Sequence, residues 1–590
     1  MRILAALAVF AAVAAFWAVR TDGFDFLRID DGDWIVENAD VRRGLSAEGL
    51  AWAFANSEAG SNWHPLTWVS LMADASIAGD GPLKNLSAVA HRHNAILQGV
   101  SAALLLLVML AVTGGAHGRR DVLAAALLAL LWGVHPLRAE CVCWAIERKE
   151  LLCTAFSLLT VLLWQARFRA HRAAALAALA LALMSKSVAV TVPGILFALD
   201  MLGAEDRWRA FKRGLPHYAA QLALCAVASY FTLVAQAPAV EGNQEGCPFA
   251  VRLACAVGAY ARHLLAFVAP VDLYLYRQFT NAVCWGRFAL GAVLCGLMLY
   301  SAWAFLRRGA CRTGFLAAAW IGAGLLPMCG LIRVGVEMDP DRFGHWIGCG
   351  FTVILFMSCK RLLRARAGIA APAALVLGAA ACAYAAAAWR YGGFWRDSYT
   401  IFMRTLAVVP EHPEALVRIG VEYAETFDRP DEAIEWFERS LRSWPSDDVA
   451  SQLAMMLSRR ARPEDLERIK SLCAGVRRDH SLDDRGAALT ALGVALMHER
   501  NWGEAISCFA DAIPKQRADR KLKGNGRPAE DNEMRIAMCH YNMGDYSGAK
   551  PWLTRLAASK HPDIKEKALQ LLWFIWQKEQ QGGYLAPSRQ

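Results

Sequence analysis

The fold is decided by VLAAALLALLWGVHPLRAECVCWAIERKELLCTAFSLLTVLLW, residues 122–164, in which two apolar runs flank a polar centre. Each run is close to the length that crosses a bilayer as a helix, and the centre carries His135 and Glu140. Basic loops lie on either side of the stretch, at 117–120 and 167–172. Because short loops rich in Lys and Arg stay in the cytoplasm, the polar centre is predicted to face the opposite side.

The same alternation of loops continues along the membrane part of the chain. The basic loops are 117–120, 167–172, 207–213, 307–312 and 360–366. The other loops hold acids, His-Pro pairs and isolated cations, at 30–31, 64–65, 135–150, 185–186 and 339–345. The charge rule therefore gathers the reactive side chains on one face, the outer one.

The composition excludes several classes of protein. At 590 residues, 56% hydrophobic and a mean hydropathy of +0.27, the chain is too apolar for an ordinary soluble enzyme. The net charge of +10 lies mainly in the basic loops, and no basic stripe is interleaved with aromatics, so we expect no nucleic-acid partner. The sixteen cysteines show no metal-type spacing, although Cys141, Cys143 and Cys247 fall in outer loops that could oxidise them.

The pattern predicts an all-α protein with a polytopic membrane domain over 1–390 and a helical repeat domain over 391–590. The first segment is taken as a retained helix rather than a signal peptide, which puts the N-terminus inside and the tail outside. Outer loops are predicted at 20–94 and 237–285. About eleven spans are expected, at 3–19, 95–113, 121–136, 151–166, 173–186, 188–203, 217–235, 286–306, 313–330, 345–359 and 369–388.

One piece of the second outer loop bears on the whole topology. Residues 250–270 are apolar enough to lie in the membrane interface but carry charges that make crossing costly. We predict the interfacial placement. If the piece crossed instead, the number of spans and the side of the tail would change.

The tail contains copies of a Leu-Gly, Tyr, Ala, Phe and Pro pattern with a period near 34 residues. The copies begin near 415, 491 and 537, and the last is the weakest. This pattern resembles tetratricopeptide repeats, whose stacked helix pairs form a concave surface that binds protein segments.

Two adjacent carboxylates, Asp30 and Asp31, follow the outer end of the first span. Neighbouring carboxylates repel each other, so they are better tolerated around a divalent cation, or when one serves as a general base near a cation. A solvated acidic turn is the plainer explanation of these two residues taken alone.

Two His-Pro pairs, at His64 and His135, are predicted to be helix starts, because Pro suits the first turn of a helix. They are kept as secondary site candidates because both lie in the outer loops.

The loop after the second pair carries Glu140 and then Arg148, Lys149 and Glu150. Glu140 is a candidate metal ligand, and the two cations could hold a phosphate. Interfacial anchoring by Trp144 and by snorkelling cations is the alternative.

Two further outer segments carry isolated charges. Lys186 lies between two closely spaced apolar runs, where an unpaired cation is expensive. Arg342 is placed to hold an anionic head group, with Asp341 as its expected orienting partner. Each cluster has a plain explanation by itself, but five on one face favour a shared site.

Seven motifs run in an order that resembles one family, the bacterial relatives of the transmembrane-and-tetratricopeptide O-mannosyltransferases, within the GT-C superfamily of membrane glycosyltransferases. The resemblance covers essentially the whole chain, and its specificity lies in the ordered set. The motifs are NWHPLTWVSLMAD, AHRHNAILQ, WGVHPLRAECVCWAIERKELL, MSKSVAVTVPGILFALD, RHLLAFVAPVDLYLY, GLLPMCGLIRVG with DPDRFGHWIG, and FWRDSYTIFMRTLAVVPEHPEAL.

The resemblance implies a GT-C-like enzyme that moves a sugar from a polyprenyl-phosphate donor, with inversion, to an acceptor hydroxyl, expected to be a protein Ser or Thr. The implied location is the outer face of the bacterial cytoplasmic membrane, with the tail in the periplasm. Asp30, then Asp31, match the acidic pair that acts as general base or metal contact, with Glu140 as a further acid and Mg²⁺ or Mn²⁺ as the candidate cation. The residues implied to hold the lipid phosphate are Arg148, Lys186 and Arg342, with Lys149 beside them.

The chain departs from the family pattern at three positions. Arg138 and Gln98 stand where the family commonly has His, and Glu150 stands where it has Asp. The replacement of His by Arg138 puts a role for an imidazole at that position in doubt but leaves the carboxylates in place.

Two other functions fit parts of the sequence. A non-catalytic scaffold would use the membrane part only as an anchor for the repeats, yet an anchor needs one span and no gathered charges. A translocase of lipid-linked sugars would carry polar residues near the bilayer midplane and repeat its membrane half. The charges here lie at outer helix ends, so we favour the transferase.

Overall fold

A computed structural model describes the chain apart from residues 56–61, 167–168, 244–247, 278–282, 332–338, 366, 476–481, 524–526 and 581–590. It is 84% helical, with no strand in the described residues, which confirms the all-α polytopic class. The chain divides into two compact units, Met1–Arg404 and Thr405–Gln590, somewhat after the boundary predicted at 390.

The first unit holds the apolar helices. Its last helix, Ser398–Val408, continues past Arg404 into the second unit. Its helices are α1 Arg2–Arg20, α2 Ala39–Arg42, α3 Ala47–Ala55, α4 Pro65–Ala78, α5 Leu83–Thr113, α6 Arg119–Gly133, α7 Ala139–Cys143, α8 Arg148–Trp164, α9 Arg169–Ser185, α10 Val192–Gly203, α11 Arg207–Asn243, α12 Phe249–Val268, α13 Trp285–Arg308, α14 Arg312–Ala317, α15 Ala323–Leu325, α16 Gly344–Ala365, α17 Ala370–Gly392 and α18 Ser398–Val408.

Seven helices in the described residues are long and apolar enough to cross a membrane, or eight if the bent pair Arg119–Gly133 and Pro136–Cys143 is one span. Six of them coincide with predicted spans, and the seventh is α12. The remaining predicted spans correspond to shorter or broken helices such as α9.

Helix α12 passes the length and composition test for a span, so its interfacial placement stays a prediction. Near its start, Arg252 donates to the Leu331 carbonyl at 3.2 Å. Near its end, the Phe267 carbonyl accepts from His135 Nε2 at 2.9 Å. Leu331 and His135 both lie at predicted outer ends of spans.

Prolines set the start of helices at both His-Pro pairs. His64 precedes α4, which begins at Pro65, and His135 precedes a 3₁₀ turn over Pro136–Arg138.

Cys141 and Cys143, expected in an exposed loop, are instead buried free thiols, because the loop folds inward through α7. Cys247 lies outside the described residues.

The described residues of the second unit are mostly helical. Its helices are α19 Pro413–Glu425, α20 Pro430–Ser443, α21 Asp447–Arg460, α22 Asp465–Gly475, α23 Leu482–His498, α24 Trp502–Lys523, α25 Arg527–Asn542, α26 Tyr546–Leu556 and α27 Pro562–Gln580.

The glycines of the first two predicted repeats occupy equivalent places in this unit. A Cβ on Gly420 would lie 2.9 Å from the Phe437 ring, and one on Gly493 would lie 2.6 Å from the Phe509 ring. In each case the glycine lets the first helix of a pair approach an aromatic side chain of the second. The tetratricopeptide assignment itself stays a prediction.

Candidate active site

The polar centre of residues 122–164 folds into three short helical pieces followed by α8, rather than a loop. The chain passes from a 3₁₀ turn into α7, then through a second 3₁₀ turn over Ala145–Glu147 and directly into α8. Pro136 begins the first piece, and the helix axis bends by 56° there. Glu140, Glu147 and Glu150 therefore lie in three successive pieces and are all buried.

Six charged side chains lie together, four from this segment, one directly after α9 and one in the 3₁₀ turn before α16, and we call them the charge cluster. Three are acids and three are cations, so their formal charges cancel. They are Glu140, Glu147, Glu150, Lys149, Lys186 and Arg342. Five of them are sequence-predicted site residues, and Glu147 is the one that sequence reasoning did not select.

Arg342 connects two acids of the charge cluster. Its Nη1 donates to Glu140 Oε1 at 2.6 Å, and its backbone N–H donates to Glu140 Oε2 at 2.9 Å. Its Nε lies 3.4 Å from Glu147 Oε1. The guanidinium fork is suited to such paired contacts, which fix its orientation.

Lys186 lies on the other side of Glu147. It forms an ion pair with Glu150, and its Nζ is 3.9 Å from Glu147 Oε2. Burial alone would lower the pKa of Lys186, but Glu150 and Glu147 outweigh it and raise that pKa to about 12. The lysine is therefore charged at every physiological pH.

Glu147 is the centre of the charge cluster. Lys149 Nζ lies 3.0 Å from its Oε1, on the same oxygen that faces Arg342. Burial alone would raise the pKa of Glu147, but Lys149, Lys186 and Arg342 outweigh it and lower that pKa to about 2. The sequence analysis selects Arg148 and Lys149 as a pair of cations and leaves out Glu147, which directly precedes them.

The cations form the accessible side of the charge cluster. The side chains of Lys186 and Arg342 are 12% and 15% exposed, whereas those of Glu147 and Glu150 are 1% and 0% exposed. An approaching ligand therefore meets positive charge first, with the carboxylates behind it. This arrangement suits an anion rather than a cation.

Asp31 holds the segment that follows α1 against the turn that carries Glu147. Its Oδ1 accepts from the Ile146 backbone N–H at 2.9 Å, and its Oδ2 accepts from the Leu27 backbone N–H at 3.0 Å. The residue is fully buried. Burial raises the pKa of Asp31 to about 7, although the two backbone hydrogen bonds act to lower it.

Asp30 differs from its neighbour in its surroundings. It is partly exposed, and its charge adds to the raised pKa of Asp31. Because both oxygens of Asp31 accept backbone hydrogen bonds, Asp30 is the better placed of the pair to meet a ligand.

Asn94 also holds the turn of the charge cluster in place, and sequence reasoning missed it. Its Nδ2 lies 3.3 Å from each of the carbonyl oxygens of Val142, Trp144 and Ala145. The AHRHNAILQ motif that contains it resembles the family, but its role is visible only once the turn is folded beside α5.

Arg148 directly precedes Lys149 yet contacts a different set of residues. Its guanidinium forms an ion pair with Asp74 at 2.5 Å and donates to Asn94 Oδ1 at 2.8 Å and to the Ala90 carbonyl at 2.6 Å. It braces α4 and α5 against the start of α8. A phosphate contact by Arg148 remains a prediction.

Asp341, expected to orient Arg342, pairs instead with two other arginines. Its Oδ1 accepts from Arg262 at 2.8 Å and from Arg277 at 3.3 Å, and Arg262 also contacts Asp339 at 2.5 Å. Adjacent side chains in the 3₁₀ turn over Asp341–Phe343 point in different directions, which separates Asp341 from Arg342. A charged residue inside the apolar run of α12 was the sequence signal for Arg262.

The two histidines of the His-Pro pairs are buried. His135 Nδ1 accepts from the Leu137 backbone N–H at 3.2 Å, as expected of a residue that starts a turn. Burial, with Lys149 and Lys186 nearby, lowers the pKa of His64 to about 3, so that histidine is neutral.

Two of the three residues named for a divalent cation, Asp31 and Glu140, are held by other hydrogen bonds, and a cation at Asp30 stays a prediction. Both oxygens of Asp31 accept backbone hydrogen bonds, and both oxygens of Glu140 accept from Arg342. Across the part of the chain that the structure describes, no group of three or more His, Cys, Asp or Glu side chains could hold a metal ion. We therefore assign no chemical step to a metal.

No protein-family model matches the chain. Over 222 residues it is 29% identical to the human protein O-mannosyl-transferase TMTC4, covering 32% of this chain and 29% of that protein. Over 171 residues it is 32% identical to the mouse protein O-mannosyl-transferase TMTC4, covering 25% of this chain and 22% of that protein. The chain thus matches less than a third of the length of either relative. These partial matches support a relationship to the TMTC O-mannosyltransferases and point to a membrane glycosyltransferase.

Proposed function

We propose that this protein is a GT-C-type, inverting glycosyltransferase that moves a sugar from a polyprenyl-phosphate donor to an acceptor hydroxyl. The proposed location is the outer face of a bacterial cytoplasmic membrane. The observation that carries the proposal is the charge cluster, whose accessible side is cationic and lies at the ends of apolar helices. The similarity to proteins named O-mannosyl-transferases supports it.

The donor phosphate is proposed to bind at Lys186 and Arg342. Both side chains are partly exposed, and each is oriented by a buried carboxylate, Glu150 or Glu140. Such preformed cations stabilise the charge that develops on a leaving phosphate without reorganising during the reaction. Lys149 lies behind them, with its Nζ 4.9 Å from the centre of the Trp34 ring.

The proposed reaction is a single displacement at the anomeric carbon. The acceptor oxygen forms a bond to the anomeric carbon. The bond between that carbon and the phosphate oxygen breaks, and its electron pair stays on the phosphate. Asp30 takes the proton of the acceptor hydroxyl as general base. Asp31 positions Asp30 by fixing the segment to Leu27 and Ile146.

The sugar is proposed to be mannose and the acceptor a protein Ser or Thr, because the relatives carry those activities in their names. The helical repeats of the second unit are proposed to bind the acceptor protein. Helix pairs of this kind form surfaces for extended protein segments.

The test uses purified protein in lipid nanodiscs with a polyprenyl-phosphate-linked tritiated mannose. Membranes from cells that lack this protein serve as the source of acceptors. We expect label in the protein fraction, with release of polyprenyl phosphate. Recovery of all label as intact donor would contradict the proposal, and movement of intact donor across sealed vesicles would instead favour a translocase.

A further inference from the structure

Glu147 places a negative charge directly behind the cations that the proposed function assigns to the donor phosphate. Its Oε1 faces Lys149 at 3.0 Å and Arg342 at 3.4 Å, and its Oε2 lies 3.9 Å from Lys186. Glu147 thus contacts all three cations of the charge cluster. Any anion bound to these cations is therefore also repelled by Glu147.

The two lipids of the proposed reaction differ in charge. The donor is a phosphodiester with one negative charge. The product is a phosphate monoester, which carries close to two charges at neutral pH because its second pKa is about 6. A site made only of cations would therefore hold the product more tightly than the donor, and the enzyme would stay occupied by its own product.

We infer that Glu147 sets the affinity of the charge cluster so that the singly charged donor binds while the doubly charged lipid phosphate product is released. This inference rests on the proposed function. Glu147 acts through Coulomb repulsion and through the positions of the three cations, and no direct contact with the sugar is needed. Repulsion scales with the charge of the ligand, so it weakens product binding more than donor binding.

The geometry allows the charge to be removed with little change of shape. Glu147 Oε1 receives the close cation contacts, whereas Oε2 accepts no hydrogen bond from the described residues. In Glu147→Gln the amide oxygen can take the Oε1 position and the amide NH₂ the Oε2 position. The substitution therefore removes a charge and keeps the contacts to Lys149 and Arg342.

Glu140 provides the matched control. Both of its oxygens accept hydrogen bonds from Arg342, so Glu140→Gln loses one of them and loosens the arginine. Glu140→Gln removes the same charge as Glu147→Gln but also loosens Arg342. It is therefore expected to tighten monoester binding less than Glu147→Gln does.

The experiment measures binding of farnesyl phosphate, a monoester, and of farnesyl methyl phosphate, a diester, to the purified full-length protein by titration calorimetry. For Glu147→Gln we expect the Kd of the monoester to fall about tenfold and that of the diester about threefold, since repulsion scales with ligand charge. Equal changes for the two ligands, no change, or weaker monoester binding would overturn the inference.

A second variant keeps the test decisive if Glu147→Gln does not fold. Glu150 Oε1 also accepts no hydrogen bond from the described residues, and its charge lies behind Lys186. Glu150→Gln should tighten the monoester more than the diester, and the same results would contradict the inference. The failure of the proposed function is distinguishable, because wild-type protein would then transfer no sugar in the nanodisc assay, whereas failure of this inference alone leaves transfer intact.

Discussion

Arg342 and Glu140, which are 202 residues apart in the sequence, are joined by two hydrogen bonds, at 2.6 Å from Nη1 and 2.9 Å from the backbone N–H. The pair connects the 3₁₀ turn before α16 to α7. It fixes the direction of a cation that is partly exposed, while the acid behind it is buried. A buried carboxylate that orients an accessible arginine is the geometry on which the proposed phosphate site depends.

The first prediction concerns the shape of the cation. Arg342→Lys keeps the charge but cannot reach Glu140 and Glu147 together, because the ammonium lacks the planar fork. We expect kcat/KM for the lipid donor to fall about tenfold or more, measured with purified protein, while the melting temperature changes little. Arg396→Lys, at an arginine that is 63% exposed, is the control. Equal activity of the two variants would contradict an orienting role for Glu140.

The second prediction concerns the buried pair of Lys186 and Glu150. Lys186→Met leaves Glu150 buried without this partner and should lower the free energy of unfolding by about 3–5 kcal/mol. Adding Glu150→Gln should recover most of the lost free energy of unfolding, because Glu150 then leaves no unpaired charge. Chemical denaturation in detergent measures the free energy of unfolding of the wild type, of each single variant and of the double variant. Strictly additive losses would show that the two side chains do not interact.

The third prediction follows from the raised pKa of Asp31, about 7 in the fold against 3.8 for the unperturbed side chain. The folded state then binds more protons than the unfolded state between these values. The stability that Asp31 contributes is thus fully present below pH 4 and is lost as pH rises through 7. Asp31→Asn should show a smaller fall in melting temperature between pH 5 and pH 8 than the wild type. Parallel pH curves for the two proteins would argue against this titration.

The fourth prediction concerns topology. If α12 lies along the outer face, the basic loops at 207–213 and 307–312 are on the same side of the membrane, and the tail is on the opposite side. Alkaline phosphatase fused within either loop should be inactive, and a fusion to the tail should be active. Opposite results for the two loops would show that α12 crosses the bilayer.

The sequence predicts the class of the fold and the grouping of the site well, because both depend on composition and on short-range rules. The charge rule groups loops that contact one another in the structure, as Asp31 does with Ile146 and Arg342 with Glu140. The His-Pro pairs are predicted correctly as helix starts because the preference of Pro for the first turn is local.

Partners across long sequence separations could not be predicted in the same way. Asp341 was assigned to its neighbour Arg342, but tertiary packing gives it Arg262 and Arg277. Glu147 was overlooked because its importance comes from Lys186 and Arg342, which reach it only after folding. A single sequence carries no signal for such distant contacts.

The most direct test of the proposed function compares sugar transfer by the wild type with transfer by Asp30→Asn, using tritiated polyprenyl-phosphate mannose and purified protein. Asp33→Asn, at an exposed acid of the same segment, is the matched control. Loss of a general base should slow transfer about a hundredfold or more in Asp30→Asn, with Asp33→Asn near the wild-type rate. Equal rates for all three folded proteins would contradict the assignment of this acidic pair to the chemistry.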